Sequence, residues 1–234
     1  MMSSSEYYDK MAASYGTLIS QRNAFLLAVE SKIFEINSGR IVNNYLDVGC
    51  GNGIRSKRIM DGLKPGYSLL IDESKEMIQV ASFLENEKVQ VKKCDFLAMK
   101  GNTPFQVITC LWNVFGHLES KSLRLAFLKQ MHALLAQNGL LFIDINNRYN
   151  VNQYGWLSVL KNWMSDIFRL PEAGKFALQN EGDISFVYVH NPFEFDKLIA
   201  DAGFSKIRKI YLDYSTGREV TSFFRGQTVY CIEK

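Results

Sequence analysis

The sequence predicts an α/β fold: a mostly parallel seven-stranded sheet, helices on both faces, and a helical and strand insertion after the fifth strand. Three observations carry that prediction. Short apolar runs alternate with helix-period segments five times between residues 45 and 145, the rhythm of right-handed βαβ units. A glycine-rich turn within Tyr45 to Gly53 (Y-L-D-V-G-C-G-N-G) joins the first strand to the helix behind it. After residue 146 the alternation breaks, and the chain finishes in a capped helix and two late strands.

The elements follow in order. Phe25, Leu26, Val29, Ile33 and Ile36 repeat at helical spacing over residues 21–37, with Gly39 as the stop. The first strand leads through Asp47 into the turn, and Ile54 to Leu63 forms the next helix. Pro65-Gly66 marks a loop, Tyr67 to Ile71 a second strand ending at Asp72, and Ser74 caps a helix over 75–86. Lys88 to Lys93 is the third strand, and Phe105 to Trp112, entered through Gly101-Asn102-Thr103-Pro104, is the fourth. Ser120 caps an apolar-striped helix over 121–137 that Asn138-Gly139 ends, and Leu140 to Ile145 is the fifth strand. Residues 146–182 mix Asn146, Asn147, Asn150 and Asn152 with Tyr149, Tyr154 and Trp156, then turn helical. Ile184 to Val189 reads as a strand of the same excursion. Asn191 with Pro192 and Glu194 starts another helix, and Lys206 to Leu212 and Thr228 to Ile232 close the sheet.

The 234 residues are 47% hydrophobic and 13% aromatic, which suits one sizeable packed domain and not a disordered chain. The net charge is +3 and the Lys and Arg residues are dispersed, so nucleic acid is not the expected partner. Cys50, Cys94, Cys110 and Cys231 are far apart and form no C-x-x-C, which argues against a metal cluster and a disulfide framework. The first residues lack a signal peptide's basic start and apolar run, and no apolar stretch approaches membrane-spanning length. The expected location is the cytoplasm, with no membrane partner; the oligomeric state is left open.

The chemistry concentrates at the turn. Glycine accepts positive φ and lets a ligand approach the backbone, and the following helix directs N–H groups and its positive dipole end there. A dinucleotide site wants G-x-G-x-x-G. Here Ile54 fills the third position, and Asp47 would repel a phosphate while attracting an ammonium. The expected ligand is a nucleoside bearing a positive amino group, as in S-adenosylmethionine. Asp72, at the end of the second strand, is placed to accept ribose hydroxyls.

With Leu46, Asp47, Val48, Gly49, Gly51 and Gly53 in this order, the stretch resembles the first motif of the class I S-adenosylmethionine-dependent methyltransferases. Asp72, Ser74 and Met77 resemble the second, and Tyr8, Asp9, Ala12 and Tyr15 match a Y-D-x-x-A-x-x-Y segment that folds over the cofactor in small-molecule members. The resemblance covers most of residues 7–145, loosely 191–234, and fails over 146–190. It implies a Rossmann-like fold, with residues 1–38 as lid and first helix; residues 146–190, where the resemblance fails, read as a substrate-side insertion because amides mixed with aromatics suit a small organic substrate. The resemblance also implies a cofactor set of Tyr15, Asp47, Gly49, Cys50, Gly51, Asp72, Glu73, Asp95, Phe96, Trp112 and Asn113. Asp95 would take the adenine amino group, and Phe96 would flank the base. Gln106 departs from the family's usual Asp, and Asn113 is followed by V-F-G, unlike the N-P-P-Y of base-amine methylation.

Methyl transfer from a sulfonium is an in-line displacement that needs alignment first, and a base only for a protonated acceptor. His117 and His190 are the candidate bases, against packing or hydrogen bonding as their alternative; no metal site is expected. The leading expectation is methyl transfer to a small-molecule acceptor. The alternatives are an RNA or protein methyltransferase on the same fold, or a non-catalytic cofactor-binding partner subunit.

Overall fold

The computed structural model describes residues 2–12, 15–16, 22–101, 103–170, 173–180 and 183–234. Residues 13–14 and 17–21 of the expected lid, Asn102 of the expected turn, and 171–172 and 181–182 of the insertion lie outside that set. Helix α1 (Ser4–Met11) opens with a capping box in which Ser3 and Glu6 satisfy each other's backbone amides. Helix α2 (Asn23–Asn37) follows. Then β1 (Asn44–Val48), α3 (Ile54–Leu63), β2 (Tyr67–Asp72), α4 (Lys75–Ala81), β3 (Val89–Lys93), β4 (Phe105–Cys110), α5 (Lys121–Leu134) and β5 (Leu135–Ile145) alternate in the expected rhythm.

Strands β1 to β5 pair in parallel, in the order β3-β2-β1-β4-β5. Beyond β5 the sheet continues through β10 (Gln227–Glu233), β8 (Lys206–Leu212) and β9 (Glu219–Val220), each antiparallel to its neighbour. The sheet therefore has eight strands, not seven, because the two-residue β9 extends its edge. Period-two alternation puts Leu141, Ile143 and Ile145 against α5 and α7 (Pro192–Asp201), and Leu140 and Phe142 against α2 and α3. Both faces of the sheet are thus covered by helices.

Three elements end two or more residues before their expected ends, each for a physical reason. Helix α5 stops at Leu134, not 137, because buried Leu135 pairs with Phe105 and the chain bulges before Leu140 pairs with Val107. Asn138-Gly139 then sits inside β5, with Asn138 at φ 59°. Helix α4 ends at Ala81, not 86, where Ser82 turns its hydroxyl back to the Gln79 carbonyl and a 3-10 turn takes over. Strand β4 ends at Cys110, not Trp112, because Trp112 and Asn113 both take positive φ, at 62° and 57°. Gln106, where the family pattern has an acid, accepts from the Asn44 amide at 2.7 Å and ties β4 to the start of β1.

Residues 146–190 form helix α6 (Val151–Ile167) and a separate antiparallel hairpin of β6 (Lys175–Asn180) and β7 (Asp183–Tyr188). Two of the amides and one of the aromatics read as substrate binders hold this excursion in place, whereas the buried Asn150 side chain has no hydrogen-bond partner among the described residues. Asn147 Nδ2 donates to Phe223 and Gly226 carbonyls, Asn152 to Asp213, and Tyr149 Oη to Asp166. The two-sided core makes a clear stability prediction. Phe142→Ala, at a fully buried ring, is expected to lose about 3–5 kcal/mol in urea denaturation without changing the far-UV circular dichroism of the folded state.

Candidate functional site

The turn between β1 and α3 carries Gly49 at φ 79° and Gly51 at φ 55°. A Cβ on Gly49 would lie 2.5 Å from Val114 Cγ2, and one on Gly51 3.2 Å from the Tyr15 ring. Both positions therefore need glycine for conformation and for space. The turn's amides are satisfied from within. Gly49 and Cys50 donate to the Ile71 carbonyl at 2.8 and 3.0 Å, Gly51 to Asp72 Oδ2 at 2.9 Å, and Ile54 to Asn52 Oδ1 at 3.2 Å. The tip of β2 and Asn52 thus hold the Gly49, Cys50, Gly51 and Ile54 donors. A carboxylate, not a ring of amides, faces the space beside the turn.

That space is a cavity of about 200 Å³. Asp72 and Glu73 sit at its rim, with Ile71, Met77, Cys94 and Phe96 as an apolar wall. Ser4, Ser5 and Tyr8 of α1 close it from above, and Trp112, Val114 and His117 bound the far side. The lid is held by Asp9, whose carboxylate accepts from Ser74 Oγ at 2.5 Å and from the Glu76 amide at 3.0 Å. Burial pushes the Asp72 carboxyl above its usual range, with the Asp47 charge adding to the shift. Burial also raises Glu73, reinforced by Asp95 and Asp72.

Tyr15, Gly49 and Trp112 also border a smaller adjoining cavity lined by Asp47, Cys50, Asn52 and Arg55. Asp47 is buried and accepts from Ser56 Oγ at 2.6 Å and Thr109 Oγ1 at 2.7 Å. Burial raises its pKa, and the two hydroxyls and Arg55 oppose the shift. Arg55 is itself buried; its Nε lies 3.4 Å from Glu30 outside hydrogen-bond geometry, and its Nη2 has no hydrogen-bond partner. The cavity thus presents a carboxylate and a guanidinium with donors to spare, a setting for a zwitterion.

His117 Nε2 lies 3.0 Å from the Tyr8 hydroxyl, and their rings meet edge to face. Burial lowers the His117 pKa to about 4, partly opposed by the Phe186 backbone. The imidazole is neutral at physiological pH, and Tyr8 is the donor when Nε2 is the acceptor.

A family model described as "Methyltransferase domain" matches residues 46–139, the stretch that holds the turn, Asp72 and the end of β4. This stretch is similar to the methyltransferase domain of the S-adenosylmethionine-dependent enzymes. An uncharacterised protein of Methanocaldococcus jannaschii, MJ1252, is 30% identical over 166 residues, 70% of this chain. The chain spans 58% of that curated relative's length. Among solved structures, the complex of DhpI with SAM and HEP is similar at a TM-score of 0.71, with 13% identity and 100% of each chain covered. CalS10, an amino pentose methyltransferase from Micromonospora echinaspora, is similar at 0.60, with 17% identity and 93% and 96% covered. The N-methyltransferase NodS from Bradyrhizobium japonicum, bound to S-adenosylhomocysteine, is similar at 0.58, with 13% identity and 89% and 83% covered. At such identities these structures speak for the methyltransferase fold.

Within this methyltransferase fold, Tyr15, Gly49, Gly51, Asp72, Glu73, Phe96 and Trp112 line the main cavity, and Asp47 and Cys50 line the smaller one. Three expected residues line neither. Asp95 is exposed and turns its carboxylate to the Leu97 amide as a 3-10 cap. Asn113 is buried and spends its side chain on the Tyr188 carbonyl and the Asn146 amide, cross-linking β4, β5 and β7. His190 packs between the Phe115 and Phe195 rings, and burial and the charges of Arg124 and Arg148 hold it neutral. Arg55 and Asp9 join the site although their roles were not read from the sequence. Arg55 carried one signal: a cation in the first turn of a helix opposes the dipole, so another partner must hold it there. The burial of His117 predicts its titration. Its imidazole resonances should move near pH 4, not 6.5, in a two-dimensional NMR titration. Because the folded pKa is lowered, the unfolded chain binds the extra proton first, and stability should fall as pH drops from 6.5 towards 4.

Proposed function

We propose that this chain transfers the methyl group of S-adenosylmethionine to a small-molecule acceptor. The observation that carries the proposal is the pairing of two cavities across the glycine turn. One is apolar with Asp72 at its rim, the other polar with Asp47 and Arg55. The cofactor is a nucleoside joined to a zwitterion, and the orphaned Arg55 Nη2 and the side-chain-free turn fit it. When bound, it supplies a methyl group on a sulfonium, primed for in-line displacement. Asp72 would hold ribose hydroxyls, and Ile71, Met77, Cys94 and Phe96 the base. Arg55 would hold the amino-acid carboxylate, with Asp47 electrostatically favouring the ammonium.

The acceptor side falls to α1 and residues 114–119. Among the described residues lining the main cavity there is no Lys or Arg, which disfavours a phosphate-rich acceptor such as RNA. Neutral His117, through the Tyr8 hydroxyl, can take a proton from a hydroxyl or amine presented there. Residues 146–190 would serve the substrate side through β7, which packs on the 3-10 turn Val114–His117 and on α1. Helix α1, seated over the cavity, would align the reactants, the main contribution such chemistry needs.

Calorimetry should show binding of both S-adenosylmethionine and S-adenosylhomocysteine, and absence of both would reject the proposal. Asp72→Ala removes charge-assisted hydrogen bonds of about 1.5–3 kcal/mol each and should weaken binding at least about tenfold. Only the ionised carboxylate accepts from both hydroxyls. Since Asp72 is raised above 3.8, wild-type affinity should decline on acidification earlier than an ordinary carboxylate would dictate, and Asp72→Asn should flatten that decline. Arg55→Gln should weaken S-adenosylhomocysteine far more than adenosine, which lacks the carboxylate.

A further inference from the structure

Helix α6 stands off the body of the molecule. Its inner row is Val159, Asn162 and Asp166. Val159 is buried, Asn162 donates to the Arg148 carbonyl at 2.9 Å, and Asp166 pairs with Arg148 and accepts from Tyr149 Oη. The helix proper begins after a break at Gly155, whose φ of 75° and ψ of 159° are not helical. Immediately beyond that break the outer face becomes apolar. Trp156 is 72% exposed, Leu157 84% and Phe168 67%, and Leu160, Trp163, Met164 and Ile167 between them are exposed too. At 100° per residue these side chains fall within about 140° of arc, turned away from the inner row. Nothing among the described residues covers them. The face leaves roughly 1,000 Å² accessible, beyond the patch of a typical monomer and enough for the ~800 Å² per partner of a stable complex.

The order of residues along this face identifies its occupant. Outward from Asn162 the apolar side chains of the face mirror one another: Leu160 with Met164, Leu157 with Ile167, Trp156 with Phe168. Two antiparallel helices related by a two-fold axis at that level bring each member of a pair beside the other member on the second copy. Leu then lies level with Met, Leu with Ile, and Trp with Phe, so that apolar rows from both copies fill the contact. The antiparallel arrangement also opposes the two helix dipoles. A lipid surface fits less well, because a membrane-lying helix carries several cations on its polar face. Here that face holds Ser158, Lys161 and Ser165.

We infer that α6 is the self-association surface of this protein, and that two copies pair through it as an isologous, antiparallel helix dimer. The inference is independent of the proposed chemistry, since α6 lines neither cavity.

Sedimentation velocity on the full chain should give twice 26.8 kDa at micromolar concentrations. L160E/M164E should raise the dimer dissociation constant about a hundredfold or more. Both positions are exposed, so its thermal melt by circular dichroism should match that of the isolated wild-type subunit. As a second reading, a mixture of L160C and M164C chains should form a covalent dimer faster than either alone, and the unsubstituted chain, with its own cysteines, should form none. A wild type that stays monomeric at about 100 µM overturns the inference. So does a dimer that persists in L160E/M164E. A monomer that floats with anionic phospholipid vesicles, and loses this in L160E/M164E, assigns the face to lipid and equally overturns it.

Discussion

The site depends on one bond, the Gly51 amide donating to the Asp72 carboxylate. It ties the glycine turn after β1 to the tip of β2, while the Ile71 carbonyl takes the next two amides back along the turn. In a phosphate-binding turn those N–H groups face the ligand. Here the protein consumes them, and what remains open is the acceptor capacity of a half-buried carboxylate. The expected exclusion of diphosphates therefore rests on where the donors are spent, not on the glycines themselves. Burial raises Asp72, and the two backbone donors oppose that shift and favour the charged form.

The same economy of polar groups shapes the walls. Asp9 of α1 reaches across to Ser74 and the Glu76 amide, so the lid is anchored at the start of the helix that follows Asp72. Trp112 and Asn113 take left-handed conformations that cost about 1–3 kcal/mol each in a non-glycine residue. Asn113 recovers this through bonds to Tyr188 and Asn146, and its own amide donates to buried Asp144 at 2.6 Å. That strained corner puts Trp112 between the two cavities and turns the chain towards His117. The insertion is held in a similar way, by Arg148 and Asp166, and leaves its apolar helix face outward.

The sequence by itself determined the mostly parallel sheet, the helices on both faces and the carboxylate at the end of the second strand. These are written in local periodicity, in glycine spacing and in position after a strand, all of which survive without knowledge of long-range contacts. The glycines Gly49 and Gly51 and the acid Asp72 were legible for that reason. Tertiary structure alone decided which polar side chains face the cavity and which are spent. Asp95, Asn113 and His190 are chemically suitable, yet Asp95 is claimed by the Leu97 amide two residues on, and Asn113 and His190 by a backbone group and an aromatic ring distant in sequence. Arg55 and Asp9 gained their places through packing of Glu30 and Ser74 against them. The early stop of α5 has the same origin, because burying Leu135 beside Phe105 outweighed the local signal at Asn138-Gly139. A residue's type and spacing fix what it can bond, but only the folded chain fixes which partner reaches it first.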